Sequence, residues 1–122
     1  MLFLVLASCA LECNLMGWTN TLTLHVSRDD GGVVEAPTGT VTVGDTTVDF
    51  DCAVVADGYS CTDADVVISF QGDGADVDYE VHMPMWVAAG NTTPDWNTSE
   101  PNGKGCGERY DGELDVLLLA TP

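Results

Sequence analysis

Apolar and polar residues alternate with period two along most of the chain. Leu22, Leu24 and Val26 fall on one face and Thr21, Thr23 and His25 on the other, which is the signature of a half-buried strand. The pattern returns at Val41 and Val43; at Val48, Phe50 and Cys52; at Val66, Ile68 and Phe70; at Val77, Tyr79, Val81 and Met83; and at Leu114, Val116 and Leu118. The opposite faces are mostly Thr, Ser and Asp, and the breaks carry turn residues: Asp30-Gly31-Gly32, Gly44-Asp45, Asp57-Gly58 and Gly72-Asp73-Gly74. No stretch shows a helical period. From Pro84 to Gly112 the signal weakens, and the pattern predicts one ragged strand over Met85 to Ala89, a long loop, and a final strand over Glu113 to Leu119.

Several short strands separated by such turns predict an all-β fold, a single antiparallel β-sandwich of immunoglobulin-like or transthyretin-like kind. A chain of 122 residues with 45% hydrophobic content suits one such domain. In many sandwiches the first and last strands run parallel and adjacent, and the same is expected here.

Charge narrows the partners. Twenty Asp and Glu stand against three Lys and Arg, a formal charge of -17 that repels phosphate backbones, so nucleic acid is excluded as a partner. The plain account of this acidity is a solvated, self-repelling surface.

The amino terminus reads MLFLVLA, an apolar run much shorter than the ~20 residues of a membrane-spanning helix. Leu6-Ala7-Ser8-Cys9 follows and resembles the lipobox of bacterial lipoproteins, although no Lys or Arg precedes the apolar run. The resemblance implies cleavage before Cys9 and lipidation of its thiol, hence residues 1–8 as an export signal, 9–18 as lipidated cysteine and tether, and 19–122 as the sandwich. It also implies attachment to a membrane through the lipid, on an outer membrane, a cell surface or in a periplasm. More than one acyl chain makes such attachment effectively stable, at ~0.8 kcal/mol per buried CH₂.

Five cysteines are present; setting Cys9 aside leaves Cys13, Cys52, Cys61 and Cys106, an even set suited to disulfides in an exported chain. Cys52 and Cys61 flank Asp57-Gly58, so a hairpin there is expected to join them. Cys13 precedes the first strand and Cys106 the last, and adjacency of those strands predicts the second bridge. The absence of any CxxC disfavours a zinc ribbon.

Thr93-Pro94-Asp95-Trp96 and the run Glu100-Pro101-Asn102-Gly103-Lys104-Gly105-Cys106-Gly107 resemble the TPxW and EPNGxGCG segments of small acidic lipoproteins, a largely uncharacterised group. That resemblance implies a carboxypeptidase-regulatory-like or immunoglobulin-like sandwich and an envelope location, not an activity. Where it implies further cysteines before the first strand and after GCG, this chain has Trp18 and Glu108-Arg109. Two readings of the loop stand side by side. Gly and Asn supply turns that Cys106 staples while the tryptophans cap the core, or Trp86, Trp96, Lys104 and Arg109 form a binding edge for a protein or glycan of the envelope.

Catalytic constellations are not legible: there is no GxSxG elbow, HExxH helix, P-loop or dinucleotide fingerprint. His25 and His82 are the candidate neutral-pH bases, and alternation turns both toward solvent. Asp73, Asp76 and Asp78 around Gly74 are candidate Ca²⁺ ligands off the EF-hand spacing. His82-Met83-Pro84-Met85 superficially suits copper, but period two places Met83 and Met85 on the apolar face and His82 on the other, which favours core packing. The expectation is therefore an envelope-anchored, non-catalytic binding or structural module without a cofactor. A Ca²⁺- or copper-binding envelope protein is the alternative and a small envelope enzyme the third.

Overall fold

Alternation becomes strand almost wherever it occurs. The computed structural model describes residues 18–101 and 107–122 and forms β1 (Asn20–Arg28), β2 (Thr38–Val43), β3 (Thr46–Asp51), β4 (Tyr59–Thr62), β5 (Asp65–Phe70), β6 (Val77–Met83), β7 (Trp86–Thr92), β8 (Asn97–Ser99) and β9 (Arg109–Ala120). There is no helix among the described residues. Hydrogen bonding runs in the order β3-β2-β6-β7-β9-β1-β5-β4, with β8 added to the start of β9.

These strands make the two layers of an all-β sandwich. One layer is β4-β5-β1-β9 and the other β3-β2-β6-β7. Among the described residues all pairings are antiparallel except that of the first and last strands, which run parallel from Thr21↔Asp111 to Arg28↔Leu118, as the sequence leads one to expect. Beyond that pairing β9 crosses to the other layer, where Leu119 and Ala120 pair with Val87 and Trp86. A single strand thus joins both layers along one side.

The core lies between the layers. Leu22, Leu24 and Val26 of β1, Val66, Ile68 and Phe70 of β5, and Val116 and Leu118 of β9 meet Val41, Val43, Phe50, Val77 and Val81 of the other layer. Each such side chain contributes about 1.5–3 kcal/mol when fully buried. The alternating polar partners stay on the outer faces, so register follows from burial: a slip by one residue would turn every one of these side chains to water. Asn20 is the one buried polar side chain among the described residues. It is satisfied on both sides, donating to the Gly72 carbonyl and accepting from the Tyr110 N–H at 2.9 Å, and so fixes the start of β1 against its neighbours.

Several expectations need correction. The ragged strand runs past Ala89 to Thr92, the final strand starts at Arg109 rather than Glu113, and β4 and β8 interrupt stretches without strong alternation. Both are edge strands: β4 has only half-buried alternate residues and β8 is exposed throughout, so backbone pairing rather than side-chain burial defines them. Met85 is not a core residue. It occupies the two-residue turn between β6 and β7 with φ 72° and is 75% exposed. Pro84 ahead of a residue with positive φ matches a type II turn, which overrides the strand period.

Cys52 and Cys61 are joined, with Cα atoms 5.6 Å apart, but no hairpin brings them together. β3 pairs with β2 and β4 with β5, so the 52–58 segment crosses from the outer edge of one layer to the outer edge of the other. The disulfide is a clasp across the open side of the sandwich, opposite β9. Cys13 and Cys106, the second expected bridge, lie outside the described residues, as does Cys9.

The clasp closes a loop with a sequence separation of 9, for which chain entropy gives about 2 to 3 kcal/mol. A Cys52→Ala, Cys61→Ala double variant is expected to unfold at lower urea concentration, with its unfolding free energy reduced by about that amount.

Candidate functional site

The two tryptophans singled out in the sequence sit at opposite ends of the core. Trp96 follows the turn after β7 and lies on bare backbone: a Cβ on Gly112 would fall 2.6 Å from its ring and one on Gly74 2.7 Å. Its indole N–H donates to the Ala75 carbonyl at 3.1 Å, and its ring meets Phe70 and Tyr110 at centroid distances of 5.4 and 6.4 Å. Trp86 stands at the far end of β9, paired with Ala120. From Gly112 to Ala120 is roughly 26 Å of strand. The structure therefore does not gather Trp86 and Trp96 into one binding edge; each closes one end of the core.

Arg28, which the sequence does not single out, completes the second cap. It ends β1 on the inward-facing parity of Leu22, Leu24 and Val26, and its guanidinium lies 4.3 Å from the Trp86 ring centroid, a cation–π contact. The same guanidinium grips both oxygens of Asp30, at 3.0 and 2.6 Å, and donates to the Val33 carbonyl at 3.2 Å. The Arg28 hydrogen bonds hold the Asp30 carboxyl below the usual carboxylate range. Arg109 lies at the Trp96 end, its Nε 3.3 Å from Asp111, while Lys104 lies outside the described residues.

On the outer face of the β1 layer, His25 is bracketed. Its Nδ1 is 2.9 Å from Asp65 on β5 and its Nε2 3.0 Å from Glu113 on β9. The hydrogen bond with Asp65, then that with Glu113, raises the imidazole pKa above its ordinary value against a small opposing effect of burial. With both nitrogens facing carboxylates, this histidine is arranged to hold a proton and tie three strands together rather than to take a proton from a substrate. His82 is in turn paired with Glu80 of its own strand at 2.5 Å. Asp65 and Glu113 are missed from sequence because neither is near His25 along the chain; knowing the strand pairing would have found them.

The candidate calcium ligands are each engaged with different neighbours. Asp76 accepts from the Thr93 hydroxyl and Asp78 from the Asn91 amide, both outward from the β6 layer. Asp73 faces Tyr110, whose phenol pKa is raised by partial burial, by a hydrogen bond with Glu108 and by the charges of Asp73 and Glu108. Among the described residues no group of three or more His, Cys, Asp or Glu is arranged to hold a metal ion. The copper candidates divide likewise: Met83 packs against the core, Met85 stands in the turn and His82 faces outward with Glu80.

Two outcomes test this geometry. Because the folded-state pKa of His25 is raised, its contribution to stability is complete below the unfolded pKa of ~6.5 and is lost as pH rises through the folded value; unfolding midpoints of the native chain should fall over that interval relative to His25→Gln. Gly112→Ala should displace the Trp96 ring, lowering stability by about 1–3 kcal/mol and shifting the tryptophan emission toward that of exposed indole.

No protein-family model, curated protein or solved structure matches the chain.

Proposed function

We propose that the protein is an exported lipoprotein, anchored through Cys9, whose sandwich is a non-catalytic binding or structural module of the cell envelope. The observation that carries the reading is the Cys52–Cys61 clasp. A disulfide across two edge strands suits an oxidising compartment and is rare in a reducing cytosol. The residues LASC ahead of the domain and the even cysteine set left when Cys9 is removed agree with it.

The disposition of reactive side chains supports a binding or structural role. His25 and His82 are engaged by carboxylates on exposed sheet faces, and the tryptophans are spent on closing the core. What remains for recognition is surface, displayed on a scaffold whose ends and sides are each held shut. Sandwiches of this kind commonly act through such surfaces.

Expression in a bacterial host with radiolabelled fatty acid tests the anchor. The native chain should take up label and partition with membranes, and Cys9→Ala should lose both while the purified domain keeps its unfolding midpoint. Label retained in Cys9→Ala, or absent from the native chain, would falsify the anchoring.

A further inference from the structure

Four of the large hydrophobic side chains that stand exposed gather at one end of the sandwich: Val33, Met85, Leu117 and Leu119, at 70, 75, 52 and 51%. Leu117 and Leu119 are two residues apart on β9 and face away from the buried Val116 and Leu118. Leu119 pairs with Val87, which carries the apolar strip across to the second layer. Met85 adjoins it in the turn, its carbonyl accepting from the Thr121 N–H at 2.9 Å. Elsewhere the outer faces are occupied by paired polar groups, such as Thr40 with Asp49, Thr42 with Thr47, and His25 with its two carboxylates. The strip departs from that rule on the strand faces, while Val54 and Val55, 54 and 102% exposed, stand in the crossing between β3 and β4.

Its borders are acidic. Glu113 and Asp115 continue the same face of β9, Glu80 and His82 stand beyond Val87 on β6, and Asp29 and Asp30 rim the end. Of the two described cations, Arg28 is committed to Asp30 and Trp86 and Arg109 lies at the opposite end. A second copy is a poor occupant, since it would set carboxylate borders against each other between chains of formal charge -17. The chain outside the structure, residues 1–17, joins at Trp18, which packs beside Gly107 at the other end of β9. The strip therefore lies far from where the tether enters.

We propose that the strip formed by Leu117, Leu119, Val87 and Met85 is a docking surface for a protein partner that presents apolar side chains flanked by lysine or arginine. The apolar centre supplies the binding free energy, and the acidic border supplies orientation and rejects acidic competitors. This deepens the reading of the sandwich as a binding module and rests on it, but not on the anchor, whose labelling test succeeds or fails separately.

The probe is a short fluorescein-labelled peptide that alternates leucine and lysine, titrated with the disulfide-intact full chain and followed by anisotropy. A peptide alternating serine and lysine is the charge-matched control. Saturable binding at least about tenfold tighter for the leucine peptide, weakened about tenfold by Leu117→Ser with Leu119→Ser and also by Met85→Ser, supports the proposal. Met85 stands in an exposed turn, so that variant keeps the test decisive should the double variant fold poorly. Equal binding of both peptides, affinity unchanged in the variants, no binding, or a sedimentation dimer of the native chain that the variants abolish would each overturn it.

Discussion

The parallel pairing of β1 with β9 is the constraint on which the other elements depend. It joins residues some ninety positions apart, Thr21 with Asp111 through Arg28 with Leu118, and among the described residues it is the only parallel pairing. One layer is completed on the far edge of β1 by β5 and β4. The other is reached because β9 is long, 12 residues, and continues past β1 to meet β7 at Val87 and Trp86. Loop closure over such a separation has to be offset by burial before any of this is stable, and Leu22, Leu24, Val116 and Leu118, all fully buried at this junction, supply it.

A sandwich of this size has four places to leak: two sides and two ends. The shared β9 closes one side by hydrogen bonding and the Cys52–Cys61 clasp closes the other covalently. Trp96, laid on the bare backbone of Gly74 and Gly112 and flanked by Phe70 and Tyr110, closes one end; Trp86 under Arg28 closes the other. Large amphipathic rings suit this position because their flat faces bury against the core while the indole N–H or a stacked cation meets the polar rim. These closures turn residues that look like recognition elements into structural ones.

The outer faces obey a different economy. Carboxylates there are engaged across or along strands by hydroxyls, amides and imidazoles: Asp111 by Thr21, Asp49 by Thr40, Asp78 by Asn91, Asp65 and Glu113 by His25. Cross-strand pairs of this kind contribute roughly 0.2–1 kcal/mol each and keep a strongly acidic surface from opposing the fold through self-repulsion. Against that background, the exposed apolar side chains of Leu117 and Leu119 on β9, and of Val54 and Val55 in the clasp segment, stand out.

Alternation by itself determined most of the strands, the inward set from Leu22 to Leu118 and the all-β class, because period two reports which face of a strand is buried without reference to the partner. The sequence also led to β1 and β9 as neighbours, through the habit of such sandwiches, and to the Cys52–Cys61 pair, through the even cysteine set and the turn residues between them. It did not determine how those cysteines meet, because a hairpin and a crossing between layers place the same two residues within bonding distance. Nor did it find β4 and β8, whose pairing is made by backbone groups that every residue type carries, or the turn that exposes Met85. Tertiary structure alone decided that Trp86 and Trp96 stand at opposite ends, that His25 lies between Asp65 and Glu113, and that Leu117 and Leu119 share a strip with Val87. Each of those facts depends on which strands lie side by side, and a side chain's neighbours across a sheet are set by pairing and register, which distant parts of the chain settle together.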